Sequence, residues 1–315
     1  MRKFVFPDEM VGLMVDVFFT RDTSPPSHLV FTDLDGTLLD HHTYGWEAAI
    51  PALERCRKTG VPVILVSSKT RAEMDVLRRE LNLSAPFVSE NGGGVFFPRK
   101  IFPDAPAGAI ASEIPDPGGS DGFWKWSLGI PYTHLTRELS RMRKSLGLSI
   151  KGFSEMGVAE ISRLTGLDEE AAGLATMREY DEPFIFKRET PLDLGLLHEE
   201  AARRGLTVVS GGRFHHLTGN NHKGKAMGQI ASWYNSRYHL EGQSDPIPTI
   251  ALGDSPNDFP MLSCADFPVL IHSGRNFPDL EKEIPNLETT KYPGPKGWNE
   301  AILNILSPSK EKAHA

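Results

Sequence analysis

The sequence predicts an α/β fold, with a Rossmann-like parallel-sheet core interrupted by an inserted α+β domain. Three observations carry this. Apolar runs at His28–Phe31, Val61–Val66 and Thr249–Leu252 each end in a polar turn, and a segment of helical spacing follows each one. That is the strand–turn–helix grammar of a parallel sheet. Residues 95–218 obey a different grammar, with prolines first, then helical patterns and a hairpin signal. Finally, the polar turns carry aspartates, a serine and a lysine, at the strand ends where open α/β sheets place their sites.

Taken in order, residues 1–27 form an N-terminal extension of no assigned role, closing in the linker-like Thr23-Ser24-Pro25-Pro26-Ser27. Its apolar stretch Val11–Phe19 contains Asp16, follows Asp8 and Glu9, and lacks a small-residue cleavage site, so no signal peptide is expected. The first strand leads into Asp33-Leu34-Asp35-Gly36-Thr37. Asp-Gly is often only a hairpin turn. Here no alternating return strand follows Leu39; Ala48, Ala49, Leu53 and Cys56 recur at helical intervals instead, and Thr59-Gly60 closes that helix. Val61–Val66 reads as the second parallel strand, running into Ser67-Ser68-Lys69-Thr70-Arg71 and a helix to Leu81. Phe87–Ser89 is a third short strand, broken by Glu90-Asn91-Gly92-Gly93-Gly94.

The insert opens with Pro98, Pro103, Pro106, Pro115 and Pro117 and has no clear period at first. Helical patterns follow at Leu135–Leu146, Met156–Thr165 and Asp168–Met177, then the strand-like Phe184–Phe186. Leu206–Ser210 and Arg213–Leu217 read as two strands joined by Gly211-Gly212. The core resumes with a helix at Lys225–Tyr234, the strand Thr249–Leu252, the Gly253-Asp254 turn and a helix from about Asp258. The expected division is therefore 28–94 plus 219–315 for the core and 95–218 for the insert.

Composition bounds the function. With 39% hydrophobic and 24% charged residues the chain is an ordinary globular protein. A net charge of −7 argues against a nucleic-acid partner, and the absence of any long apolar run argues against a membrane span. Cys56 and Cys264 have no metal-type spacing and suit a reducing compartment, so a cytoplasmic setting is expected.

The chemistry lies in the turns. Burying an ionised carboxylate without partners costs several kcal/mol, and a hard cation such as Mg²⁺ resolves that cost through oxygen ligands. Asp33 and Asp35 follow the first strand and Ser67 the second; Lys223 is the third such site, and Asp254 and Asp258 make the fourth, after the strand Thr249–Leu252. Carboxylates around a cation, with a hydroxyl and a lysine beside them, form a phosphoryl-transfer site in which one carboxylate serves as nucleophile.

In that order, Asp33-Leu34-Asp35-Gly36-Thr37, Ser67, Lys223 and Gly253-Asp254-Ser255-Pro256-Asn257-Asp258 resemble the four motifs of the haloacid-dehalogenase superfamily. The resemblance spans about residues 28–305 and implies the catalytic roles. Asp33 is the nucleophile forming an aspartyl-phosphate, and Asp35 is the general acid and base. Ser67 and Lys223 hold the phosphoryl oxygens. Asp33, Asp35 (through its carbonyl), Asp254 and Asp258 make the Mg²⁺ site, and the insert becomes a cap. One departure is Asn221-His222-Lys223-Gly224-Lys225, where relatives often carry Asp before Lys-Gly-Lys.

Further stretches resemble the mannosyl-3-phosphoglycerate phosphatases within that superfamily: Val66–Glu73, Glu90–Gly93, Arg178–Phe184, Gly211–Leu217 and Gly297-Trp298-Asn299. The implied reaction releases phosphate and mannosylglycerate, a compatible solute, from a small phosphorylated sugar-glycerate. Glucosyl-3-phosphoglycerate, sucrose phosphate or another sugar phosphate is the alternative substrate; a phosphomannomutase and a receiver-type switch share the clustered aspartates. Ser68, Lys69, Arg71, Asn91, Gly92, Arg178 and Arg213 are the substrate-binding candidates. Each has a plainer reading. Lys69 and Arg71 sit in a helix's first turn, where the dipole disfavours cations unless an anion is near. Arg178 and Arg213 could be structural ion pairs, and Trp124 and Trp126 core packing instead of a sugar platform. His215 and His216 fall on opposite faces of a strand, and His41 and His42 read as loop residues.

Overall fold

The computed structural model describes residues 24–112, 122–188, 191–211, 214–238 and 245–307; the expected N-terminal extension lies almost wholly outside them. Strand β1 (Leu29–Thr32) is buried along its whole length. A continuous apolar run is what a strand covered on both faces requires. Helix α1 (Ile50–Lys58) starts with Pro at its first turn, where no hydrogen-bonding N–H is missed. Strand β2 (Val63–Leu65) follows, then α2 (Arg71–Glu80). Thr70 and Glu73 start α2 with a reciprocal cap, the Thr70 hydroxyl on the Glu73 N–H and the Glu73 carboxylate on the Thr70 N–H.

Three strands come next: β3 (Phe87–Ser89), β4 (Gly94–Pro98) and β5 (Ile110–Ala111), then β6 (Phe123–Ser127). The inserted domain is built from α3 (Tyr132–Leu146), β7 (Ile150–Gly152), α4 (Val158–Thr165), α5 (Glu169–Ala175), β8 (Asp181–Phe186), α6 (Pro191–Arg203), β9 (Thr207–Gly211) and β10 (Phe214–Thr218). Helix α7 (Lys223–Tyr238), β11 (Thr249–Gly253), α8 (Phe259–Leu262), β12 (Phe267–Leu270), α9 (Leu280–Glu283), β13 (Glu288–Thr289) and α10 (Gly294–Ile305) complete the core. No described helix is long and apolar enough to cross a membrane.

The core sheet has the order β13-β12-β11-β1-β2, parallel throughout. Helices cover both faces, with Leu53, Cys56, Trp298 and Ile302 on one and Ala226, Met227, Ile230 and Met261 on the other. The expected parallel-sheet architecture is the one observed. In the insert, β7-β8-β10-β9 form an antiparallel sheet. Leu135, Leu139 and Met142 of α3 and Leu197 and Ala201 of α6 pack with Phe184 and Leu217. Around Phe153, Met156, Ile161 and Ala172 a second apolar group forms, with Ile185 and Phe214 packed against it.

Beyond residue 94 the chain stays packed on the core sheet's helices before it enters the insert. A bridge between Val66 and Val88, with the Ser67 N–H on the Val88 carbonyl, links β2 to β3. Strand β4 then pairs with β3, and β6 with β4. Val95, Phe97 and Phe102 pack in the same cluster as Phe31, Ile64 and Met227. Residues 94–102 and 123–127 thus pack with the core. Trp124 and Trp126 belong to this packing: Trp124 donates to the Phe102 carbonyl, and the Trp126 ring lies 4.7 Å from Phe97. The chain crosses into the insert only at 128–131 and returns at 218–222, and there Gly219 and Ile130 are nearly in contact.

Candidate active site

Strands β11, β1 and β2 are neighbours running the same way, so the residues after each emerge at one sheet edge. They are Asp254, Asp33 and, one residue beyond Val66, Ser67. The Asp33 N–H donates to the Leu252 carbonyl, which holds the nucleophile candidate in register with the Asp254 turn. Behind it, Trp298 donates from Nε1 to Thr32 Oγ1 at 3.0 Å, and Thr32 donates to the Asp33 carbonyl at 2.7 Å.

Lys223, at the start of α7, is fully buried and joins the two acidic motifs. Its Nζ donates to Asp33 Oδ1 at 2.5 Å and to Asp258 Oδ1 at 2.6 Å. The other Asp258 oxygen accepts from the N–H groups of Asp254 and Ser255. Gly253 is required here, because a Cβ at that position would overlap the Asp258 side chain. Asp258 is therefore satisfied by protein donors, and it fixes both the lysine and the Asp254 turn. Burial pushes the Asp33 carboxyl up while Lys223 pulls it down. Burial alone would lower the Lys223 ammonium, but Asp258 and Asp33 outweigh it and hold the group above the ordinary lysine range. We take Lys223 as charged and Asp33 as its carboxylate partner, since two acidic contacts surround one cation.

Donor atoms of Asp33, Asp254 and Asp258 all lie within 4.8 Å of one another. Burial, and then Asp258, raise the Asp254 carboxyl above its usual range. Three desolvated carboxylates against one ammonium leave excess negative charge and an all-oxygen donor set. That chemistry fits Mg²⁺. With Asp258 engaged by the protein, Asp33 and Asp254 are the side chains left to meet a cation. The Asp35 carboxylate is not in this cluster. Gly36 (φ +81°) turns the chain so closely past Asp254 that a Cβ would lie 2.8 Å from its Oδ2.

Asp35 instead faces a cleft of about 240 Å³ between core and insert. Lys69 Nζ lies 2.7 Å from Asp35 Oδ2 and 5.5 Å from the Tyr44 ring centroid. Although burial opposes its charge, Asp35 and Glu73 hold the Lys69 ammonium above its ordinary range. The core wall of the cleft is Asp35, Tyr44, Ser68, Lys69 and Glu73; the opposite wall includes Phe153, Leu167, Arg178, Phe214 and His216.

The substrate-binding candidates divide. Ser68, Lys69 and Arg178 line the cleft. Arg178 is also structural, donating to the Ser68 and Ala175 carbonyls and to Asp181. Arg71 does not reach the cleft: its side chain is 1% exposed and pairs with Glu179. Asn91 and Gly92 are struts behind the site. Asn91 (φ +53°) accepts from Asn257 and donates its N–H to the Ser67 carbonyl, while a Cβ on Gly92 would run into the His222 carbonyl. Arg213 lies outside the described residues. His41 and His42 are exposed and outside the acidic cluster.

Residues 30–103 match the haloacid dehalogenase-like hydrolase family. A protein of Methanococcoides burtonii named glucosyl-3-phosphoglycerate/mannosyl-3-phosphoglycerate phosphatase is 37% identical over 282 residues, covering 89% of this chain and 97% of the relative. The chain belongs to the haloacid dehalogenase-like hydrolases. A relative of the same name from Persephonella marina is 38% identical with equal coverage. Among solved structures, a haloacid dehalogenase-like hydrolase from Bacteroides thetaiotaomicron superposes with a TM-score of 0.58 at 17% identity, covering 88% of this chain and 99% of that one. One from B. subtilis gives 0.57 at 19%, covering 89% and 99%. At such identities the likeness is one of fold.

Two parts of this hydrolase's site escaped sequence reasoning. Glu90 is fully buried with φ +49°. Its carboxylate accepts from the N–H groups of Glu179 and Tyr180, and burial raises it to about 8. In sequence it falls in the stretch that breaks the third strand, and nothing there marks the carboxyl as buried. The second is the insert wall. Period-two alternation puts Phe214 and His216 on one face, but sequence cannot say which face meets the cleft.

Proposed function

We propose that this hydrolase is a Mg²⁺-dependent phosphatase of glycosyl-3-phosphoglycerates, releasing mannosylglycerate or glucosylglycerate through an aspartyl-phosphate on Asp33. The observation that carries phosphoryl transfer is Lys223 buried between Asp33 and Asp258 with Asp254 beside them. The substrate class rests on the names of the two relatives, each covered over 97% of its length. Those names include the glucosyl compound, so mannosyl- and glucosyl-3-phosphoglycerate stand together.

In this reading the Asp33 carboxylate attacks phosphorus. A bond forms from its oxygen to phosphorus as the bond to the glycerate oxygen breaks. Asp35, at the cleft face, gives its proton to the leaving alkoxide. It then takes one from the water that attacks the aspartyl-phosphate, releasing phosphate and restoring Asp33. Such a positioned acid–base group contributes typically about 10²- to 10⁴-fold. Lys223 favours the ionised form of Asp33 against burial and balances charge on the phosphoryl oxygens, and Ser67 donates its hydroxyl to one of them. Mg²⁺, held by Asp33, Asp254 and the Asp35 carbonyl with Asp258 in support, would neutralise the transferring group when bound. Lys69 is the cation placed to meet the glycerate carboxylate.

The test is a phosphate-release panel with Mg²⁺ on mannosyl- and glucosyl-3-phosphoglycerate, sucrose phosphate and simple phosphosugars. A glycosyl-3-phosphoglycerate should have the highest kcat/KM. If neither does, the substrate assignment falls, while the phosphatase chemistry stands on any substrate whose turnover Asp33→Asn abolishes.

A further inference from the structure

His216 is set up differently from its neighbour. His215 turns toward Phe184, its ring stacked at 5.5 Å and 28°. His216 lines the cleft, 21% exposed, on the wall opposite Asp35 and Lys69. Its Nδ1 lies 2.8 Å from Asp181 Oδ2, and the Arg178 guanidinium meets the same oxygen at 3.2 Å. Asp181 is 2% exposed, so the imidazole is held from behind by a buried carboxylate that is itself fixed by an arginine.

This arrangement fixes the tautomer of the ring. A carboxylate can only accept, so the pairing selects the tautomer with Nδ1 protonated, and in that tautomer the lone pair is at Nε2. Among the described residues Nε2 has no hydrogen-bond partner. An acceptor at that place is satisfied by a hydroxyl donor and repelled by phosphate or carboxylate oxygens. Around it Phe153, Pro183, Leu167 and Phe214 supply an apolar surface, suited to the C–H face of a sugar ring.

We propose that His216, oriented by Asp181, is a specificity-determining residue that accepts a hydrogen bond from a hydroxyl of the substrate's glycosyl unit. It rests on the substrate reading above, and it assigns the two ends of the cleft: acidic groups to Lys69, the sugar to the insert wall.

The experiment compares kcat/KM on glucosyl- and mannosyl-3-phosphoglycerate with that on p-nitrophenyl phosphate, which has no sugar hydroxyl. His216→Phe keeps a ring of similar size and removes both nitrogens. The ratio of glycosyl to nitrophenyl kcat/KM should fall about tenfold, the scale of one lost hydrogen bond with a donor left unpaired. Asp181→Asn should lower the same ratio, because an amide can donate to Nδ1 and move the proton to Nε2. In the wild type, a panel of deoxy-glycosyl substrates should contain one that loses activity by a similar factor, and His216→Phe should not penalise that substrate further. An unchanged ratio in His216→Phe overturns the proposal, as does an equal loss on both substrates, which would mean a general structural role. If the wild type hydrolyses p-nitrophenyl phosphate but neither glycosyl substrate, the substrate reading fails and takes this inference with it.

Discussion

Replacing Lys223 with Met tests how the acidic centre is held together. The substitution keeps an unbranched chain of similar length in a fully buried site, so packing changes little and charge changes by one. Two contacts are lost, at 2.5 and 2.6 Å. At an effective dielectric of about 20 each is worth roughly 6 kcal/mol of Coulomb energy before desolvation. The lysine's own desolvation cost disappears with it, so the net destabilisation expected is about 3–5 kcal/mol, as when one partner of a buried pair is removed. The sign with pH follows. Without the ammonium, burial raises the Asp33 carboxyl further in the folded state, which then binds a proton more tightly than the unfolded chain. The deficit is largest at neutral pH and shrinks as pH falls toward 5. Urea unfolding of wild type and variant at pH 7.5 and 5 measures this, with phosphate release as the activity readout. Turnover should be lost. A deficit below about 1 kcal/mol at pH 7.5, or one that does not shrink at pH 5, would refute the charge argument, since a buried pair broken on one side should cost more.

Three further outcomes are expected. Asp33→Asn should abolish turnover while the unfolding transition persists; retained activity would remove Asp33 as nucleophile. Burial raises Glu90 to about 8, so from the ordinary glutamate range up to that value the folded state keeps a proton that the unfolded chain releases, and stability from this group falls as pH rises. Glu90→Gln should flatten that dependence in urea titrations at pH 5, 6.5 and 8, and an unaltered slope would discount the buried carboxyl. Trp298→Phe removes the donor to Thr32 and some volume, for a loss of about 1–3 kcal/mol by denaturation; a loss below about 0.5 kcal/mol would show that the indole contact matters little.

Much of the core was legible because its signals are local. Strands β1, β2 and β11 announce themselves as apolar runs ending in polar turns, and burial on both faces is the physical reason. The long-range features were less so. Lys223 and Asp258 read as separate motif residues, yet they meet at 2.6 Å only because α7 and the turn before α8 converge at one sheet edge. Arg71 looks like a substrate ligand in sequence because it opens a helix beside Ser67. Its direction is set by Glu179, far along the chain. Gly92-Gly93-Gly94 suggested a domain border. In the folded chain these residues are small because His222, Tyr180 and Phe96 approach their backbone, and they turn the chain back so that β4 pairs antiparallel with β3.

The near-contact of Ile130 and Gly219, where a Cβ would lie 2.8 Å from the Ile130 side chain, has an evolutionary and engineering consequence. Both ends of the insert leave the core from almost one point. A module grafted at such a point adds little closure entropy to its host and leaves the host's strand register untouched. Everything between these two residues can therefore be exchanged or remodelled without moving the carboxylate–lysine cluster. The seam also says which core residues a transplanted module would have to match: the Gly93 carbonyl, which receives the N–H groups of Leu128 and Gly129, and the Glu90 carboxylate, which receives those of Glu179 and Tyr180.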